Sequence, residues 1–280
     1  MRWSSRGRSS DIEDRRGAGF GGGVGRMAPI GLGGLAILFV LSLVTGRNFL
    51  SILDDGSDPS APPASAPAPT SPADEKMVDF LSFVLDAAQN MWESKLGGRY
   101  EHARLVLFTD AVDSACGMAE SATGPFYCPG DEKVYIDLGF YRELRDRFGA
   151  PGEFAQAYVL AHELGHHVQR LTGIESQVRE AQQRSPRQAN ALSVAMELQA
   201  DCYAGIWGHS TAERNILEQG DVESGLNAAA AIGDDRIQRM SGTRVAPERF
   251  THGSSADRVA WFKRGLESGR IESCNTFTGQ

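Results

Sequence analysis

Positive charge is in short supply in this chain. Its 28 lysines and arginines stand against 36 aspartates and glutamates, a formal net of −8 over 280 residues. What basic charge there is collects at the start. Residues 1–26 carry six arginines against Asp11, Glu13 and Asp14, a net of +3, which leaves −11 for the rest. An acidic body excludes nucleic acid as the main partner, because phosphate binding needs a basic surface. Cysteine is scarce as well: there are four, none in a CxxC spacing, so a cysteine metal site is a weak reading. No internal repeat is present. At 41% hydrophobic and 23% charged, the composition is that of a globular protein with one substantial core.

Charge is missing altogether from the 20 residues between Arg26 and Arg47, "MAPIGLGGLAILFVLSLVTG". That length suits a membrane-spanning helix and exceeds a secretory signal core. The arginines before it place the N terminus in the cytoplasm, and Asp54–Asp55 follow on the exported side. No small-residue cleavage site stands out, so the segment reads as an uncleaved signal anchor. The next stretch, "DDGSDPSAPPASAPAPTSPAD", is rich in Pro, Ala and Ser and reads as a semi-rigid tether. The expected division is a basic cytoplasmic tail (1–26), a transmembrane anchor (27–46), a linker (47–73) and an exported domain (74–280).

Within the domain, Met77, Phe80, Leu81, Val84, Leu85, Ala88 and Trp92 recur at helical spacing, and Gly97–Gly98 end the helix. "ARLVLFTD" and "KVYIDLGFY" read as strands, and after Gly149–Pro151 the chain turns mostly helical. One helix, a small antiparallel sheet, then several helices make an α+β pattern. On the exported side the four cysteines are expected in disulfides. Three connectivities exist; Cys116–Cys128 closes a short loop, which leaves Cys202 and Cys274 for each other.

The chemistry concentrates in "VLAHELGHHVQRLTG". His162 and His166 stand four apart, one above the other on a helix, and can grip one ion. Glu163 lies about 100° round from His162, offset as a ligand but placed to take a proton from a metal-bound water. Phe154, Ala157, Tyr158, Ala161, Leu164, Val168 and Leu171 form the apolar face of this helix. Gly165 makes sense there if another backbone approaches closely. His167 points away from His166 and reads as scaffold, expected under the next metal helix; His102 reads as surface. A further protein ligand is required, and the metzincin third histidine is absent: Gln169 and Thr172 stand where that pattern has Gly and His. Downstream, "SVAMELQADCYAGIW" presents Glu197 and Asp201 on one face of an apolar helix. Buried carboxylates are costly unless paired or metal-bound. Glu197 is therefore the third-ligand candidate, with His209 its competitor, and Asp201 is placed to accept the spare N–H of His162 or His166.

"AHELGHHVQ", "ELQADCYAG" and "FTHGSSADRVAWF", in that order, resemble the neutral zinc metallopeptidases of the YpfJ-like family of bacteria. The likeness covers essentially the whole exported domain. It implies a zincin-like fold of gluzincin type and one Zn2+ per chain. His162, His166 and Glu197 would hold that ion, with Glu163 as catalytic base. It also implies a peptide or protein substrate, and, with the anchor, a single-pass protein of the bacterial inner membrane. "HGSSADR" is similar to the H-P-x-x-x-x-R segment of zinc proteases that share the E-x-x-x-D helix, with Gly253 in place of the proline. By that likeness His252 would donate to the oxyanion and Arg258 would brace the carboxylates near the metal; the alternative for His252 is a residue that precedes a helix and nothing more. "ARLVLFTD" is the expected edge strand for an extended peptide, and residues 175–190 the expected cover of the cleft. The rival to a peptidase is a zinc-binding envelope assembly protein with a protease fold. Oligomeric state is not legible.

Overall fold

The computed structural model describes residues 1–17, 71–120 and 124–277. The anchor expected at 27–46 and nearly all of the tether expected at 47–73 lie outside them. Among the described residues no helix is long and apolar enough to cross a membrane.

Helix α1 (Pro72–Leu96) begins with a Ser71–Asp74 capping box and a proline in its first turn, and Gly97, at φ 59°, stands at its C-cap. Val78, Leu81, Leu85, Ala88 and Trp92 recur every three or four residues and are fully buried. A sheet runs in the order β1 (Ile12–Asp14), β2 (Arg104–Phe108), β6 (Lys133–Asp137), β5 (Phe126–Cys128). Strands β3 (Ala111–Ser114) and β4 (Gly117–Glu120) form a separate antiparallel hairpin.

Helices with a small sheet fit the expected α+β class, but the sheet is mixed where an antiparallel one was expected. β1, β2 and β6 are parallel neighbours, and β5 alone runs against β6. The reason is the path: after β2 the chain makes the β3–β4 hairpin and β5, and re-enters alongside β2 in the same direction. "ARLVLFTD" is therefore not an edge, since β1 and β6 flank it. Among the described residues the edge strand beside the site is β5.

The N terminus was expected as a tail, residues 1–26. Met1–Arg16 instead belong to the same compact unit as the residues from Pro69 onward. β1 pairs in register with β2, Ile12 opposite Leu105 and Asp14 opposite Leu107.

Helices α2 (Gly139–Asp146), α3 (Glu153–Leu171), α4 (Ile174–Arg184), α5 (Ala189–Glu213), α6 (Asp221–Ala231), α7 (Asp234–Met240) and α8 (Ser255–Ser268) complete the described fold. Gly165 is where α3 meets α5: a Cβ there would come within 3.0 Å of the Ala200 backbone. That contact brings two polar-bearing helices close enough to share one site. The disulfides are Cys116–Cys128 and Cys202–Cys274, the second tying the C-terminal tail to α5.

Candidate active site

α3 contributes His162 and His166, and α5 contributes Glu197 and Asp201, each pair set at the four-residue step that stacks side chains on one helix face, with Glu163 of α3 offset beside His162. One ligand atom from each of His162, His166 and Glu197 lies within 4.8 Å of the others. His162 Nε2 is 3.2 Å from one Glu197 oxygen, and His166 Nε2 is 3.4 Å from the other. The sequence-based ligand set therefore converges. His209 does not join it: its ring donates to the Leu266 carbonyl, 2.8 Å away, at the far end of α5.

Each histidine is oriented through its other nitrogen. His162 Nδ1 donates to Asp201, 2.9 Å away. Asp201 is fully buried and also accepts the Tyr158 hydroxyl and two guanidinium N–H groups of Arg258, at 2.8 and 3.0 Å. Arg258 is itself buried and lies 3.8 Å from Glu197. His166 Nδ1 donates to Gln169 Oε1, 2.8 Å away. The Gln169 amide donates in turn to the Met196 carbonyl and to Gln199, which donates to the Cys274 carbonyl.

Both Nδ1 atoms are thus committed as donors, which leaves both Nε2 lone pairs aimed at carboxylate oxygens. Lone pairs facing an anion repel unless a proton or a cation lies between them. Two imidazoles and one carboxylate suit zinc, whose catalytic sites keep three protein ligands and an open position. These residues fit the ion. Without it the site holds protons. Burial works to lower the pKa of His162, yet the Asp201 carboxylate overrides it and raises the value to about 10. His166 is raised as well, against burial, by Glu197. Glu163 is pushed up, first by its own burial, which makes its carboxylate a better proton acceptor.

A cleft of about 680 Å³ opens over these groups, with Glu163, His162 and His166 in its wall. Phe126 and Tyr127 of β5 form one side, and Ile237 and Met240 of α7 are among its apolar lining residues. Of the expected cover at 175–190, Glu175 alone borders it. His252 also borders it, half exposed. Asp234 holds its Nδ1 at 3.1 Å and accepts the backbone N–H groups of Thr251, His252 and Gly253. The segment before α8 is thereby pinned with the imidazole at the rim.

His167 is scaffold, though not under α5 as expected. Its Nε2 donates to the Glu101 carbonyl, and its Nδ1 accepts the Tyr127 hydroxyl, so it braces β5. Burial lowers its pKa and keeps it neutral. His102 bonds Asp11 of the N-terminal arm at 2.9 Å. Four residues that sequence reading missed do much of the positioning: Tyr158, counted with the apolar face, and Gln169, Gln199 and Asp234. A polar residue inside an apolar helical stripe was the available signal for Gln169 and Gln199.

The family model described as "Putative neutral zinc metallopeptidase" matches residues 1–277. This chain belongs to that family. It is 46% identical over 284 residues, 99% of both chains, to the uncharacterized protein YpfJ of Escherichia coli strain K12. It is also 42% identical over 199 residues, 67% of this chain and 66% of the other, to the uncharacterized protein Mb2605 of Mycobacterium bovis. No solved structure matches.

Proposed function

We propose that the domain is a zinc-dependent peptidase that cleaves extended peptides laid along β5. The observation that carries this reading is the convergence of His162, His166 and Glu197 beside a buried Glu163 in the wall of one open cleft. Zinc in that site supplies the Lewis acidity that brings a water toward ionisation near pH 7 and polarises a carbonyl. Glu163 takes the proton from the attacking water and returns it to the departing amine. Asp201 and Gln169 keep the two imidazoles turned to the ion. Arg258 balances the charge of Asp201 inside the core.

His252, steadied by Asp234, donates to the oxygen that becomes negative in the tetrahedral intermediate. The free edge of β5 offers backbone groups to an extended substrate, as strand addition requires. The aromatic and aliphatic walls favour apolar side chains next to the scissile bond. We propose that the domain lies in an oxidising compartment outside the cytoplasm, a reading that its two disulfides support.

The test is metal removal and return. Chelation should abolish cleavage of an unfolded protein, and one equivalent of zinc should restore it. Zinc bound at one equivalent without cleavage of any unfolded protein or envelope peptide would favour the assembly-protein reading.

A further inference from the structure

The N-terminal arm makes too many contacts with the domain to be separated from it by a bilayer. Leu105 donates to the Asp11 carbonyl at 2.8 Å, and Arg15 to the Leu107 carbonyl at 2.7 Å, on either side of the paired strand β1. The Trp3 ring sits 5.2 Å from that of Phe80, and its Nε1 donates to Glu153 at the start of α3, the helix that carries His162 and His166. Ser9 bonds Asp86, and Gln89 bonds Asp11. Of the arginines read as an orienting tail, Arg2, Arg8, Arg15 and Arg16 are engaged in the described fold. Arg8 and Arg16 both pair with Asp14 and with Glu75 of α1, and Arg15 pairs with Glu13.

The described residues stop just past Arg16, at Gly17, and resume at Ser71. These two points lie at one corner, since Arg16 is 2.8 Å from Glu75, whose N–H bonds the Ser71 carbonyl. A helix crossing once between them would put residues on its two sides about 30 Å of hydrocarbon apart. Backbone pairing between β1 and β2 spans less than 5 Å. The two arrangements exclude each other. Between Arg47 and Ser71 the sequence holds no second long apolar run to bring the chain back.

We infer that Met1–Arg16 and the metallopeptidase domain lie on the same side of any membrane the protein meets, with the N terminus as part of the catalytic fold. The inference does not depend on catalysis, so it stands or falls apart from the peptidase reading.

All four native cysteines are in disulfides, so an introduced thiol is uniquely reactive. Ser4→Cys in the arm and Lys263→Cys on α8, both exposed positions, are made in the full-length protein and probed in spheroplasts with a membrane-impermeant maleimide. Both sites should react before lysis, or both only after it. Reaction of one before lysis and the other only after it overturns the proposal. In the same membranes, a photoreactive phenylalanine analogue at Trp3 should cross-link to the segment holding Phe80 and Phe83. Same-side labelling without that cross-link also overturns it, because the arm would then be undocked.

Discussion

The two histidines that face Glu197 stand four residues apart and do the same job, yet they are held by opposite means. His162 is oriented by charge: Asp201, buried with Arg258 and Tyr158. His166 is oriented by neutral amides, Gln169 then Gln199, ending on the carbonyl of a disulfide-bonded cysteine. A buried ionic network is costly to break, because removing one partner strands the other charge. An amide relay strands no charge and depends on the placement of the tail that ends it. The first arrangement governs stability and proton balance; the second governs geometry.

Breaking the ionic side should have the largest effect. Asp201→Ala leaves Arg258 buried without its partner and is expected to cost about 3–5 kcal/mol, read as a large fall in Tm of the metal-free protein. At the end of the amide relay, Cys202→Ala with Cys274→Ala opens a link between residues 72 apart. A loss of about 2–4 kcal/mol is expected in denaturant unfolding, together with weaker zinc binding as Gln199 loses its anchor. Gln169→Leu isolates the geometric role. Zinc affinity by chelator competition should drop about 10- to 100-fold, with little change in Tm; unchanged affinity would remove Gln169 from the account.

The smallest effect is the sharpest comparison. The metal-free fold holds His162 protonated up to about 10, because Asp201 outweighs burial. Zinc must displace that proton, so affinity should rise with pH through neutrality. For the metal-free protein the sign is opposite. A raised folded pKa adds stability that is complete below the unfolded value near 6.5 and is lost as pH rises towards about 10. Asp201→Asn removes the carboxylate behind the shift, so zinc binding should release about one proton fewer near pH 7. Gln169→Leu should leave proton release unchanged. Calorimetric titrations in buffers of different ionisation enthalpy distinguish the two.

Much of the centre was legible because helical periodicity is local. His162 and His166, then Glu197 and Asp201, declare their shared faces by spacing alone, and a buried acidic pair on an apolar helix demands a partner. Tyr158 was hidden for the complementary reason: it sits in an apolar stripe whose neighbours define a face, and only the packed partner reveals the polar contact. The sheet was least legible. Three residues, Ile12–Asp14, among arginines carry no alternating pattern, and strand order depends on crossovers that no local window contains. Composition alone suggests a membrane-orienting tail there; the packing that pairs Arg8, Arg15 and Arg16 with Asp14, Glu13 and Glu75 has no local signature.

The most direct test compares Glu163→Gln with Glu197→Gln, scoring zinc content and cleavage of an unfolded protein on the same samples. Glu163→Gln should keep one zinc and lose cleavage by a factor of roughly 10² or more, while Glu197→Gln should lose both. Undiminished cleavage by Glu163→Gln, or full zinc affinity in Glu197→Gln, would contradict the assignment of proton carrier and third ligand.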